Sequence, residues 1–252
     1  YEPQSLDYMN ILTETMKHAY ADRAKYLGDP DFVKVPQDGI TSKKYSKEIA
    51  KKITLGKSTP ANKIANPNPS LYESPSTTHI SIVDKYGNAI SSTQTINYSF
   101  GSCVMVPGYG ILLNDEMDDF SKKPGVANVF GLVGSKANEI QARKTMLSSM
   151  TPTIVTKNKK PELVLGAPGG SRIINAVLQA TLLHIGYEES LEDSVHAYRI
   201  HNQWLPDKLF YEQNSIDKKT QEKLQSIGYT LDESSFYIGD IQAVARYKNG
   251  WK

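Results

Sequence analysis

Between positions 4 and 27, Leu6, Met9, Ile11, Leu12, Met16 and Ala19 recur at roughly helical spacing, ahead of Gly28 and Pro30. The spacing predicts one amphipathic helix with a glycine stop. Positions 43–53 read as a shorter basic helix capped by Thr41 or Ser42, its lysines forming a solvated face. From Gly56 to Ser76 the composition turns to Lys, Ser, Thr, Asn and Pro, closing in NPNPSLYESPS. Such a stretch buries little apolar area, so an exposed or mobile connector that tolerates cutting is expected there. The texture then reverses. Positions 78–84 alternate as a strand with Ile80 and Ile82 on one side, Lys85-Tyr86-Gly87-Asn88 makes a turn, and positions 89–96 return as a second strand. Thr77 thus sits at the mouth of a hairpin. Further strands are expected at 110–113, 153–156, 163–165, 209–212 and 241–247. Turns at Lys157-Asn158-Lys159 and Lys248-Asn249-Gly250 suit an antiparallel arrangement. A strong helix is expected from Ser171 to about Ile185, ending at Gly186, with shorter ones at 191–197 and 216–227, the last stopped by Gly228. Hairpins followed by helices predict an α+β layered fold rather than a doubly wound sheet.

Composition narrows the function. The 252 residues, 39% of them hydrophobic, suffice for one large domain or two small ones. Lys and Arg number 29 against 27 Asp and Glu, and the resulting charge of +2 forms no basic arm, which argues against nucleic acid as a partner. No apolar run approaches the roughly 20 residues of a transmembrane segment. The opening YEPQSLDYMN lacks the regions of a signal peptide, while a signal sequence upstream of Tyr1 stays open. The single cysteine, Cys103, excludes an internal disulfide and stands among small and apolar residues, so it is expected to be a buried small hydrophobe. The histidines, His18, His79, His184, His196 and His201, match no metal-ligand spacing, and His79 reads as a core or surface histidine rather than a base for Thr77.

Four strings have chemical content. Threonine is a weak nucleophile without a neighbouring base, and one at a chain start can use its own α-amine, whose reference pKa is near ~8. Thr77 would gain that amine only if the Ser76–Thr77 bond were broken, most simply by attack of its hydroxyl on the Ser76 carbonyl and hydrolysis of the ester; read alone, a Thr-Thr pair at a strand start is ordinary. Gly169 and Gly170, in PGGSR, could offer backbone N–H groups to an oxyanion, or form a plain strand-to-helix turn capped by Ser171. Ser148 and Ser149 could bind a carboxylate or cap a turn. The cluster Asn114, Asp115, Glu116, Asp118 and Asp119 could receive an ammonium group, hold a metal, or be a solvated loop.

Taken together, TTHISIVDKYGNA (77–89), TQTIN (93–97), GILLNDEMDDFSKKPG (110–125), NVFGLVG (128–134), LSSMTPTIV (147–155), GAPGGSRII (166–174) and HNQWLPD (201–207) resemble, in order, the gamma-glutamyltransferase family, or glutathione hydrolases, of the N-terminal-nucleophile superfamily. ADRAKYLGDPDFVKVP (21–36) is similar to the end of that family's large subunit. The resemblance implies an αββα sandwich, incomplete in this chain, with residues 1–76 ending the large subunit and 77–252 forming the small-subunit region. It implies a zymogen that cleaves itself between Ser76 and Thr77, with Thr93 aiding processing. It implies an acyltransferase and hydrolase in which Thr77 attacks a γ-glutamyl amide, its freed amine acts as base, Thr95 orients it, and Gly169 and Gly170 form the oxyanion hole. Asn97, Glu116 and Asp119 would hold the donor's α-amino group, Ser148 and Ser149 its α-carboxylate, and Phe130 would stand at a lid position where tyrosine is common. The partners implied are glutathione or another γ-glutamyl donor, water or an amino-acid or peptide acceptor, and the remainder of the large subunit. No cofactor or metal is needed, and a periplasmic or extracellular setting is expected.

The chain departs from the family pattern at Lys144-Thr145-Met146, where a proline is usual, at Tyr198, and at Ala167, where a serine is common. The resemblance also leads one to expect a carboxylate-pairing arginine upstream and an SDPR-like segment beyond Lys252. Two other readings stay open: a threonine acylase acting on poly-γ-glutamate or a β-lactam acyl side chain, and an unprocessed, non-catalytic chain.

Overall fold

Helix α1 (Leu6–Tyr26) begins where the Ser5 hydroxyl accepts a hydrogen bond from the Tyr8 N–H, with Asp7 in its first turn and Arg23 and Lys25 in its last. These charges suit the helix dipole. The computed structural model describes residues 1–64 and 77–252. The remaining helices are α2 (Gln37–Ile40), α3 (Lys43–Ala50), α4 (Ile173–Thr181), α5 (Leu191–His196) and α6 (Lys218–Ser226). The early strands are β1 (Thr77–Val83), β2 (Ala89–Thr95), β3 (Met105–Val106), β4 (Ile111–Leu112), β5 (Thr153–Lys157) and β6 (Lys160–Gly166). The later ones are β7 (Ile200–His201), β8 (Leu209–Glu212), β9 (Leu231–Ser234), β10 (Gln242–Tyr247) and β11 (Gly250–Trp251).

The chain packs as two units that interleave along the sequence. The described part of one comprises 1–64, Glu116–Ser148 and Ile200–Phe236; that of the other comprises 77–115, Ser149–Arg199 and Tyr237–Lys252. This is a division by packing, whereas the boundary expected at 76/77 would be one of covalent cleavage.

In the first unit, α1 is buried on more faces than an amphipathic helix would be. Met9, Leu12 and Met16 are buried, but so are Asn10, Thr13, Glu14 and Lys17, which line a polar stripe at helical spacing. Nor is Gly28 a left-handed stop: Leu27 is already extended, and a Cβ on Gly28 would lie 2.1 Å from the Ala137 carbonyl oxygen. Close approach requires that glycine. The exposed or mobile connector expected from Gly56 onward does not hold over 56–61, because Ser58 and Ala61 are buried and this stretch is bonded to α1 and to the segment after Ile200. Residues 65–76 of that connector lie outside the described residues. Strand β8 pairs antiparallel with β7 but parallel with β9, the latter across the α6 crossover. Strand β9 is not among the expected strands because the polar LDES carries no apolar alternation, and its parallel pairing with β8 uses α6 as the crossover.

In the second unit, β11-β10-β6-β5 form an antiparallel sheet. Asn158 and Lys159, both at positive φ, close its β5–β6 hairpin, and Gly250 sits at the β10–β11 turn. Leu163, Leu165, Ile241 and Ala245 pack with Ile173, Ala176, Val177 and Ala180 of α4. The helix expected over 171–185 is three pieces: a 3-10 turn (Gly170–Arg172), α4, and a π turn (Leu182–Gly186). Cys103 is exposed rather than buried, since it occupies a left-handed turn position (φ 58°) closed by its N–H bond to Phe100.

The β1–β2 hairpin of this unit is amphipathic with its polar side inward. Ile80 and Ile82 share one side as expected; Ile90, the cross-strand partner of Ile82, joins them, and this side faces outward, each residue being about half exposed. Inward, the Ser81 hydroxyl donates to the Gln242 carbonyl at 3.1 Å and Ser91 to that of Leu165 at 2.9 Å, while the Thr153 N–H donates to Ser91 at 3.0 Å. His79, 6% exposed, lies with Nδ1 2.7 Å from Thr93 Oγ1 and Nε2 3.0 Å from Ser81 Oγ. Because Ser81 spends its proton on Gln242, His79 Nε2 must be the donor, and Nδ1 accepts from Thr93. Burial pushes the His79 imidazole below its ordinary value, which agrees with a neutral ring.

The ring rests on Gly166, where a Cβ would fall 2.2 Å from His79 Cε1. Gly166→Ala should therefore cost about 1–3 kcal/mol in urea denaturation, and the double variant Gly166→Ala, His79→Ala should cost less than the two single losses added together. As pH falls below the ordinary imidazole value of 6.5, the unfolded His79 takes up a proton that the folded one refuses. Its contribution is thus complete above that pH and declines toward the depressed folded value. Denaturation across pH should show this acid-side loss shrinking in His79→Gln.

Candidate active site

Thr77 opens β1 and Thr95 closes β2, and the two are cross-strand partners in register. Opposed residues of an antiparallel pair project from the same face, with Cβ atoms about 4.5–5.5 Å apart. His79 and Thr93 form the next same-face pair along the ribbon. One side of the hairpin therefore carries Thr77, Thr95, Thr93 and His79 in sequence. In the uncut chain the Thr77 nitrogen is an amide and has no basic lone pair. Ser76, the other partner in the expected processing bond, lies outside the described residues.

Immediately after β2 the chain bends through Asn97, at φ 72°. The Asn97 N–H donates to Thr95 Oγ1 at 2.9 Å, and its buried side chain donates through Nδ2 to the Asp115 carbonyl at 3.4 Å. The Asp115 carboxylate in turn accepts from the Tyr98 N–H at 3.1 Å. Asp115 thus fixes the bend that follows Thr95. In the sequence it was only one member of an acidic cluster, and nothing in its spacing set it apart.

Strand β6 leads into the glycine pair. Gly169 (φ 140°) and Gly170 (φ 57°) both occupy conformations that a side chain disfavours, and the Gly169 carbonyl accepts from the Arg172 N–H at 3.1 Å. A Cβ on Gly169 would meet the Gly239 backbone at 3.3 Å. Gly239, which the sequence did not flag, is itself wedged against Ala176, with a would-be Cβ–Cβ distance of 2.5 Å. Ala167, where the family often has serine, is fully buried in the core beside this turn. Ser149 is half-buried, and its carbonyl accepts from Thr151 Oγ1 at 3.0 Å.

The other expected residues belong to the first unit. Glu116 and Asp119 share a 3-10 turn (Glu116–Asp119). Around it, Asn138 Nδ2 donates to the Asp119 carbonyl at 2.7 Å, and Asp118 accepts from the Val129 N–H at 3.0 Å and from Lys122. Burial lowers the basicity of the Arg23 guanidinium, an effect opposed by Tyr20 and Asp119. Phe130 is buried, and its carbonyl accepts from Gln203 Nε2 at 2.9 Å. Ser148 is exposed. The irregular stretch before it is held where the Thr145 N–H donates to Asp29 at 2.8 Å and the Leu147 N–H to Asn138 Oδ1 at 3.0 Å. Among the described residues, no group of three or more His, Cys, Asp or Glu could hold a metal ion, and no helix is long and apolar enough to cross a membrane.

Comparison with known proteins gives this arrangement a context. Residues 1–252 match the gamma-glutamyltranspeptidase family. A glutathione hydrolase proenzyme of Pseudomonas aeruginosa is 48% identical over 245 residues, which is 96% of this chain and 43% of that protein. The chain spans less than half the length of the curated relatives it matches. A gamma-glutamyltranspeptidase from Pseudomonas nitroreducens, solved in complex with L-DON, is 50% identical with a TM-score of 0.67, covering 69% of this chain and 92% of that one. An acivicin-inhibited gamma-glutamyltranspeptidase, whose crystal structure is described as revealing critical roles for its C-terminus in autoprocessing and catalysis, is 47% identical with a TM-score of 0.66, covering 69% and 94%. The fold is thus α+β, of the N-terminal-nucleophile hydrolase type, and the chain belongs to the gamma-glutamyltranspeptidase family.

Proposed function

We propose that this chain is the processing and nucleophile-bearing part of a secreted or periplasmic γ-glutamyl amide hydrolase and transferase. The observation that carries the reading is the pairing of Thr77 with Thr95 on the inward face of a hairpin, in a family whose relatives are named proenzymes. In the first step the Thr77 hydroxyl attacks the Ser76 carbonyl, the acyl group moves from nitrogen to oxygen, and water hydrolyses the ester. This leaves a carboxylate on Ser76 and a free amine on Thr77. That amine then takes the Thr77 hydroxyl proton as the oxygen attacks a γ-glutamyl amide. The donor's amine leaves with a proton, and water or an acceptor amine resolves the acyl-enzyme.

In this reading the Gly169 and Gly170 N–H groups stabilise the developing oxyanion. Asn97, Glu116 and Asp119 receive the donor's α-amino group, Ser148 and Ser149 its α-carboxylate, and Phe130 covers it. Thr95 sets the rotamer of its cross-strand neighbour, and Thr93 assists the cleavage. Glutathione is the donor the relatives' names favour, and the remainder of the large subunit is the partner. The outward Ile80, Ile82 and Ile90 supply an apolar surface of the kind a partner covers.

Mass spectrometry of the full-length protein should find a new N-terminus at Thr77, absent in Thr77→Ala; an uncut wild type would sink the proposal. Hydrolysis of a γ-glutamyl anilide should follow the cut and rise with pH as the amine, with a reference value of about 8, loses its proton. Activity confined to other acyl donors would overturn the substrate assignment alone. Thr95→Val removes the hydroxyl facing Thr77 and the acceptor that seats Asn97, and should lower kcat/KM about a hundredfold.

A further inference from the structure

The polar stripe of α1 belongs to a buried cluster that the proposed chemistry does not use. Lys17, with no exposed side-chain surface, lies 3.0 Å from Asp207 Oδ1 and 3.4 Å from Glu14 Oε1, and donates to Ser58 Oγ and the Thr59 carbonyl, each at 2.9 Å. Its ammonium also stands 5.0 Å from the centre of the Tyr229 ring. The Tyr229 hydroxyl accepts from Asn10 Nδ2 at 2.7 Å and lies 2.9 Å from Glu14 Oε1, to which it donates. Burial, followed by the Glu14 charge, pushes that phenol well above its ordinary range. Glu14 Oε2 accepts from the Thr59 N–H at 3.1 Å, and Asp207 Oδ2 from the Ala61 N–H at 2.7 Å. The Ser58 N–H reaches the Ile227 carbonyl at 2.7 Å, and Trp204 Nε1 the Ala61 carbonyl at 3.1 Å.

These residues divide at one place in the sequence. Asn10, Glu14, Lys17 and the 58–61 backbone precede position 77, whereas Asp207, Trp204, Ile227 and Tyr229 follow it. We infer that this cluster is a clasp, an ionic and hydrogen-bonded joint that keeps the two products of cleavage together once the Ser76–Thr77 bond is gone. The inference rests on the proposed cleavage. A purely structural cluster would be equally at home within one product, but here the charge pair Lys17–Asp207 and the Glu14–Tyr229 bond both cross the junction. Removing Lys17 leaves the fully buried Glu14 carboxylate without its counter-charge and the part-exposed Asp207 without its partner, a loss expressed chiefly in the rate of separation.

The test uses the full-length protein with Lys17→Met, Asp207→Asn and their combination. After cleavage, the rate at which the products separate in a fixed urea concentration, read by size exclusion, should rise on the order of a hundredfold for Lys17→Met. The double variant should be less impaired than the product of the single effects. The same substitutions in an uncleavable Thr77→Ala chain should leave it folded and monodisperse in that urea. Products that stay together as in the wild type, or a Thr77→Ala chain that unfolds as readily as the cut one separates, would overturn the clasp. If the wild type is never cut, the cleavage reading fails by itself. A site-specific protease sequence placed within 65–76 of the Thr77→Ala chain then poses the same question of the clasp, with the same two outcomes.

Discussion

The position of Thr77 depends on how the β1–β2 hairpin is seated, and that seating is polar. A hairpin held by apolar side chains can slide, because hydrocarbon contacts have no direction. Here Ser81 and Ser91 donate to particular carbonyls, those of Gln242 and Leu165, and His79 is fixed between Thr93 and Ser81 above Gly166. Slipping β1 by one residue would bring Ile80 and Ile82 inward and turn Ser81 and His79 away from their partners. Each hydroxyl bond is worth only about 0.5–1.5 kcal/mol net, but an unmade one in a buried site costs more. Register is therefore set by what the alternatives would lose. The same face that seats the hairpin carries Thr77 and Thr95, so the seating and the candidate chemistry share one alternation of side chains.

That polar interior explains where the sequence was readable and where it was not. The start of α3 was legible because Ser42 caps it through a local bond that depends on a few neighbouring residues, and Ser190 and Asp217 do the same for α5 and α6, whose presence the local pattern marked. The β5–β6 and β10–β11 turns were legible for the same reason. The pairing of β8 with β9 was not, since a polar strand such as LDES joins a sheet through its backbone and shows no apolar period. The alternation of β1 placed Ile80 and Ile82 on one side without telling which way that side faces, and it is the polar side that turns inward. Gly28 was seen as a helix stop because a helix end is local, whereas the Ala137 carbonyl that demands it lies more than 100 positions away.

The candidate site divides in the same manner. The resemblance marked Thr77, Thr95, Asn97 and the glycine pair, all of which stand in recognisable strings. It did not mark Asp115 or Gly239, whose parts are to hold Asn97 and to back Gly169. Supporting residues of this sort have ordinary spacing, and only packing shows what they support.

Lys17 poses the opposite problem, a charge in the polar stripe of α1 that a period-based reading assigns to solvent. A buried ion pair adds little net stability compared with a well-packed hydrophobic replacement, because desolvation offsets most of the attraction. Its advantage lies in direction and exclusivity. An apolar seam between two pieces of chain would tolerate several alignments, whereas the Lys17 ammonium needs the Ser58 hydroxyl, the Thr59 carbonyl and the Asp207 carboxylate at once. Before a cut, the covalent link holds the two sides at high effective concentration and alignment comes at little entropic cost; after it, alignment depends on the contacts alone. A joint that must outlast the loss of its own tether gains more from bonds that admit one geometry than from additional apolar area.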